Sequence, residues 1–231
     1  ALMITAWYLL GGLALKMPLI SPRQLGFAHI FLLVAALFAP LFYLVFEAFA
    51  FQQNSAFTLL QYAFVIPTLL IAILGLRTVV NASTPVRNIS GMSLVLSVFV
   101  FGLGGILGVF VDGTDTRTPA HYHGVLGGIN LAFMGMFYGF FLPLMGRGVE
   151  VTRAVRLSVW FYGIGQSLHV LGLFLAGGYG APRKSVGSIE GLDNVGAQVG
   201  LYGLGIGAVI AVVGGVMFIW IAASALIRRL E

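Results

Sequence analysis

Hydrophobic residues in this chain fall into long blocks, and short polar clusters separate them. The blocks are Leu2–Ile20, Leu25–Phe49, Ala56–Val80, Ser90–Val111, Pro119–Met145, Ala154–Ala176 and Val199–Ile227. Each is roughly the 20 residues that a helix needs to cross the hydrocarbon layer, or longer. None shows the period-two alternation of barrel strands. With no water in lipid to satisfy an open backbone, helices are the remaining solution. The breaks carry turn chemistry: Ser21-Pro22-Arg23, Gln52-Gln53-Asn54-Ser55, Asn81 to Asn88, and Asp112-Gly113-Thr114-Asp115. The longest break runs from Gly177 to Gln198. The pattern predicts an all-α integral membrane bundle of about seven transmembrane helices, a single membrane domain over residues 1–231.

Composition agrees. Hydrophobic residues make up 59% of 231, charged residues 8%, and the mean hydropathy is +1.03. A soluble domain carries about a quarter charged residues, so this chain lacks the polar groups to face water on every side. The net charge of +5 does not point to nucleic acid, because the basic residues are scattered singly rather than gathered in a stripe. They orient the chain instead. Lys16, Arg23, Arg77, Arg87, Arg147, Arg153, Arg156, Arg228 and Arg229 fall at one set of span ends, and Arg117, Arg183 and Lys184 at the other. The positive-inside rule then predicts a cytoplasmic C-terminus, with the first residue facing outward. The expected location is the inner membrane of a bacterium or archaeon. No cleavable signal peptide is evident, and the chain opens inside an apolar segment. The absence of cysteine excludes disulfides, zinc–thiolate sites and iron–sulfur ligation. Glycines are spread through the spans, Gly135-x-x-x-Gly139 among them, and let helix backbones or a flat cofactor approach closely.

Four histidines carry the candidate chemistry: His29, His121, His123 and His169. An ionisable residue inside a span is a functional candidate by default. His121-Tyr122-His123 opens the fifth span. Residues two apart on a helix lie about 200° apart around its axis, so the two imidazoles project from nearly opposite faces. One metal ion cannot easily use both, whereas two haems flanking the helix can each take one as axial ligand. The alternative is a pair of buried histidines donating to backbone carbonyls. His169 lies in the half of the sixth span nearest that layer, within reach of it as a second axial ligand. His29, near the opposite end of the second span, reads as a capped or buried histidine.

Several stretches resemble subunit I of the haem-copper oxidases. Phe101-Gly-Leu-Gly-Gly-Ile-Leu-Gly-Val, then Asp115, then Pro119-Ala-His-Tyr-His-Gly-Val-Leu-Gly-Gly is similar to that family's ninth and tenth helices. Gln166-Ser-Leu-His169-Val-Leu-Gly-Leu followed by Ala181-Pro-Arg-Lys184 resembles the family's Q-H-F-L-G-L…P-R-R stretch, and Ala56-Phe-Thr…Ile66-Pro-Thr its eighth helix. In order, the spans resemble family helices six to twelve, the second half of a subunit I. The resemblance implies that His121 is the axial ligand of a high-spin haem and His123 one axial ligand of a low-spin haem. It implies that Arg183 and Lys184 pair with haem propionates, that Asp115 sits in the outer metal and propionate region, and that His169 is not a haem ligand.

The departures limit what the resemblance implies. The family's copper site needs a histidine on its sixth helix and an adjacent pair after its seventh. The first span here has none, and Gln52-Gln53 stand where the pair would fall. Thr114 replaces another family histidine. The expected cofactor is therefore one or two haems, of b type, with no copper from this chain alone. The expected function is a haem-binding transmembrane subunit of a respiratory electron-transfer complex. Its partners would be other membrane subunits that supply missing helices and a haem ligand, with quinol or cytochrome c as redox partner and no nucleic acid. Two other readings stand beside it: part of a split terminal oxidase or nitric-oxide reductase whose second metal another chain completes, and a cofactor-free structural subunit.

Overall fold

The computed structural model describes residues 1–81, 88–111, 115–183 and 194–227. Among them it is all-helical: α1 Leu2–Leu15, α2 Pro22–Val45, α3 Phe51–Asn81, α4 Ile89–Gly108, α5 Arg117–Leu144, α6 Arg153–Gly178 and α7 Val195–Ile227. Six of these, α2 to α7, are long and apolar enough to cross a membrane. The first expected span is shorter than the apolar block. α1 has 14 residues, about 21 Å of helix against a hydrocarbon layer of about 30 Å. It stops because Lys16 turns left-handed (φ 55°) and Pro18 follows, which cannot continue the helix. Where the sequence reads as one domain, the contacts group into two compact units, Ala1–Ser83 and Thr84–Glu231.

The first unit holds α1, α2 and α3. Ser21 and Gln24 form a reciprocal capping box with Pro22 in the first turn, which starts α2 earlier than its apolar block. The expected break at Gln52–Ser55 is helical. The chain turns earlier, at Phe49 (φ 66°), whose N–H donates to the Gln53 side-chain oxygen at 2.8 Å. These polar residues close the first turn of α3 rather than open a loop, and Gln53 is buried.

The second unit holds α4 to α7, with Met92, Val100, Leu131, Val155 and Val159 in its main core. Apolar burial drives helix pairing weakly when the solvent is itself apolar, so small residues and interhelical hydrogen bonds carry the association. Here α4 crosses α5 where Gly104 meets Gly124; a methyl group on Gly104 would lie 2.8 Å from the Gly124 Cα. Ser97 Oγ donates across the same pair to the Gly128 carbonyl at 2.7 Å. α6 and α7 run closest. Gly165 meets Gly207 and Ala211, Gly172 meets Gly200 and Leu204, and Gly214 meets Ser158 and Tyr162; the glycines of each helix are spaced by seven residues, and backbone rests on backbone along the contact. The opposite flank of α7 is apolar and exposed, with Val209, Val216 and Trp220. Near its end α5 takes a π-helical turn over Phe137–Phe141 just before Pro143, which has no N–H to give to the helical ladder.

Candidate functional site

The start of α5 is fixed by its neighbours before any histidine is considered. Thr116 N–H donates to the Ala181 carbonyl at 3.1 Å, and Thr116 Oγ1 donates to the Leu173 carbonyl at 2.7 Å. Asp115 pairs with Pro182 in a β-bridge. Asp115 accepts from the Arg117 backbone N–H and Nε, both at 2.8 Å, and forms an ion pair with the same guanidinium at 2.6 Å. Burial alone would raise the Asp115 pKa. The hydrogen bonds and charge of Arg117 outweigh it and hold the carboxyl below its ordinary value. Gly177 lets this turn close, because a methyl there would meet the Arg117 N–H and Asp115 Oδ1. Arg183 follows directly, exposed and without a protein partner among the described residues. Thr114 and Lys184 lie outside the described residues.

His121 and His123 stand about 6 and 9 Å along the axis from Arg117. They project to opposite sides of α5, as their spacing requires. His121 turns toward α4: its Nδ1 lies 2.8 Å from the Gly104 carbonyl, and its ring covers Gly108, where a methyl would strike it. A carbonyl only accepts, so Nδ1 carries a proton, and that tautomer has its lone pair on Nε2. Nε2 has no hydrogen-bond partner among the described residues. His123 turns toward α6. Its ring lies beside those of Tyr122, 4.9 Å away, and His169, 4.8 Å away and nearly perpendicular at 79°. Neither nitrogen of His123 has a hydrogen bond among the described residues, and the ring is half-buried.

His169 is thus brought to His123, rather than to His121. Its Nδ1 donates to the Leu204 carbonyl of α7 at 3.1 Å. His29 is the satisfied histidine its sequence position suggests: Nδ1 meets the Leu25 carbonyl at 2.9 Å and Nε2 the Thr5 hydroxyl at 3.0 Å. The described residues contain no gathering of three histidine or acidic side chains that would hold a metal ion. A haem iron asks the protein for only one or two axial imidazoles. His121 suits that role, with one nitrogen held by a carbonyl and the other free, the arrangement that fixes metal-ligating histidines. His123 has a free nitrogen, and its rotation is set by ring contacts.

Sequence reasoning passed over a polar row beside this pair. Asn130 Nδ2 donates to the Tyr162 hydroxyl at 2.7 Å, and Gln166 Nε2 reaches the same oxygen at 3.5 Å. The Gln166 side-chain oxygen is buried without a partner. One turn further along α6, Ser158 meets the Tyr138 hydroxyl at 3.1 Å. The signal was present: Ser158, Tyr162, Gln166 and His169 recur at helical spacing inside an apolar span.

No family model matches the chain. Over 138 residues it is 35% identical to RP382 of Rickettsia prowazekii (strain Madrid E), which is described as an uncharacterized protein; the match covers 55% of this chain and 26% of that protein. Over 71 residues it is 37% identical to an uncharacterized protein of Aquifex aeolicus (strain VF5), covering 28% of this chain and 18% of the relative. The chain therefore spans about a quarter of the first relative's length and less than a fifth of the second's.

Proposed function

We propose that this chain is a haem-binding transmembrane subunit of a respiratory electron-transfer complex, similar to the second half of a haem-copper oxidase subunit I but without the copper-site ligands. One observation carries the reading. Two imidazoles two residues apart on α5 are held on opposite sides of the helix, and each keeps a ring nitrogen that no described residue uses. The bland alternative, two histidines each donating to a carbonyl, accounts for one nitrogen of His121 and leaves His123 unaccounted for.

A bound haem supplies one-electron chemistry at its iron. The protein contributes the rest. His121 offers Nε2 while the Gly104 carbonyl holds its proton on Nδ1. His123 offers a nitrogen on the other side of the helix. The apolar spans exclude water and lower the dielectric, which favours the less charged redox state. Arg183 stands at the histidine end of the bundle, and it and Lys184, the next residue in the sequence, would pair with propionates. The missing axial ligand and the remaining helices come from other membrane chains, and quinol or cytochrome c is the redox partner. The complex sits in the inner membrane of a bacterium or archaeon with the C-terminus in the cytoplasm.

Single variants test the assignment. His121→Ala and His123→Ala in the purified complex should each remove a different component of the reduced-minus-oxidised haem spectrum. Unchanged spectra and assembly in the double variant would instead identify a cofactor-free structural subunit. Carbon monoxide binding to the reduced wild-type complex would move the assignment to a split terminal oxidase or nitric-oxide reductase.

A further inference from the structure

The imidazole of His123 is held differently from the other three. His29, His121 and His169 each place Nδ1 on a backbone carbonyl. His123 has no such bond among the described residues, and a metal-ligating histidine ordinarily needs one to fix its ring. What it has is two neighbouring rings. Tyr122 is its chain neighbour, so that contact comes with the local backbone. The contact from another helix is the His169 ring, 4.8 Å away at 79°.

We propose that His169 is a positioning residue for His123: it fixes the rotation of the His123 ring, and with it the orientation of the axial imidazole plane. This rests on the haem reading above. His169 is suited to the task because it is itself immobilised. Its Nδ1–H donates to the Leu204 carbonyl of α7, and its backbone lies against Gly207, where a methyl would meet the His169 N and Cα. The position of α7 therefore sets the His169 ring, and the His169 ring sets that of His123. The edge-to-face arrangement resists rotation, because turning His123 drives its edge into the neighbouring ring. The plane of an axial imidazole governs its overlap with the iron d orbitals, so the orientation is readable in the spectrum of a low-spin ferric haem and in its potential.

The experiment uses the complete complex purified from its own membrane, with electron paramagnetic resonance of the oxidised haem and a redox titration. His169→Ala should shift or broaden the low-spin g values. It should also move the midpoint by at least a threefold change in the one-electron equilibrium, about 30 mV on the scale where tenfold is 59 mV. His169→Phe, which keeps a ring beside His123 but gives up the Leu204 bond, should restore most of the wild-type signal. Gly207→Ala, whose methyl presses on the His169 backbone, should move the same signals with both histidine side chains intact. Gly214→Ala, which crowds Tyr162 and Ser158 on the same helix contact, should leave them in place. Wild-type complex without a low-spin haem overturns the haem reading and this inference with it. Wild-type complex with that haem, but unchanged g values and midpoint in His169→Ala, overturns this inference alone. Should His169→Ala fail to assemble, the Phe and Gly207 variants decide by the same criterion.

Discussion

Replacing Gly172 by alanine tests whether α6 and α7 are held by backbone contact. The added methyl would lie 2.6 Å from the Gly200 carbonyl oxygen and 2.8 Å from the Gly203 carbonyl carbon, and would also press on the Leu204 N–H. Carbon–oxygen contact becomes ordinary near 3.4 Å, so the helices must part by about 1 Å locally or the backbone must distort. No side chain can rotate out of the way, because the obstructing atoms belong to the main chain. Overpacking of this kind costs about 1–3 kcal/mol, and a backbone obstacle puts Gly172→Ala toward the upper end. Gly205 on α7 is the control. A methyl there meets nothing within 4 Å, so Gly205→Ala should be neutral or gain up to about 1 kcal/mol from helix propensity. Both variants can be unfolded with sodium dodecyl sulfate in mixed micelles and followed by far-ultraviolet circular dichroism. Equal stability of Gly172→Ala and wild type, or an equal loss in Gly205→Ala, would refute the close-contact account of this helix pair.

Other consequences follow from the same geometry. Arg117 holds the Asp115 carboxyl below its ordinary pKa, so the pair's contribution is complete above the unfolded value of about 4 and disappears as pH falls through the lower folded value. Asp115→Asn should therefore flatten the acid limb of a stability-against-pH curve and cost about 1.5–3 kcal/mol at neutral pH; an unchanged acid limb contradicts the pairing. Thr116→Val removes the hydroxyl that reaches the Leu173 carbonyl and should cost about 1 kcal/mol in the same unfolding assay, with no loss indicating that the bond is not formed. His29→Phe should leave every haem signal unchanged, because both ring nitrogens are occupied by Leu25 and Thr5; a missing haem in that variant would show that a third histidine belongs to the site.

The long apolar blocks made the helices legible, since lipid leaves a helical backbone few alternatives. Their ends were less legible, and for local reasons. α1 stops at a left-handed Lys16 inside its apolar block, and α3 begins at polar residues that look like a loop but close its first turn. The opposite projection of His121 and His123 followed from the helical repeat and needed no tertiary information. The pairing of His169 with His123 did not, because it depends on the spacing of α5, α6 and α7, which glycine contacts set across the chain. The row from Ser158 to His169 could have been read from its spacing, yet its partners Asn130 and Tyr138 lie on another helix. The roles of Arg183 and Lys184 stay with the proposal: the first is exposed at the histidine end of the bundle and the second lies outside the described residues.

The most direct measurement is the pyridine haemochrome spectrum of the complex purified from its native membrane, set against the amount of this chain present. The account predicts a b-type haemochrome at one or two haems per chain, lost when His121 and His123 are both replaced by alanine. A purified, assembled complex with no haemochrome, or one whose haem content survives that double replacement, would contradict it.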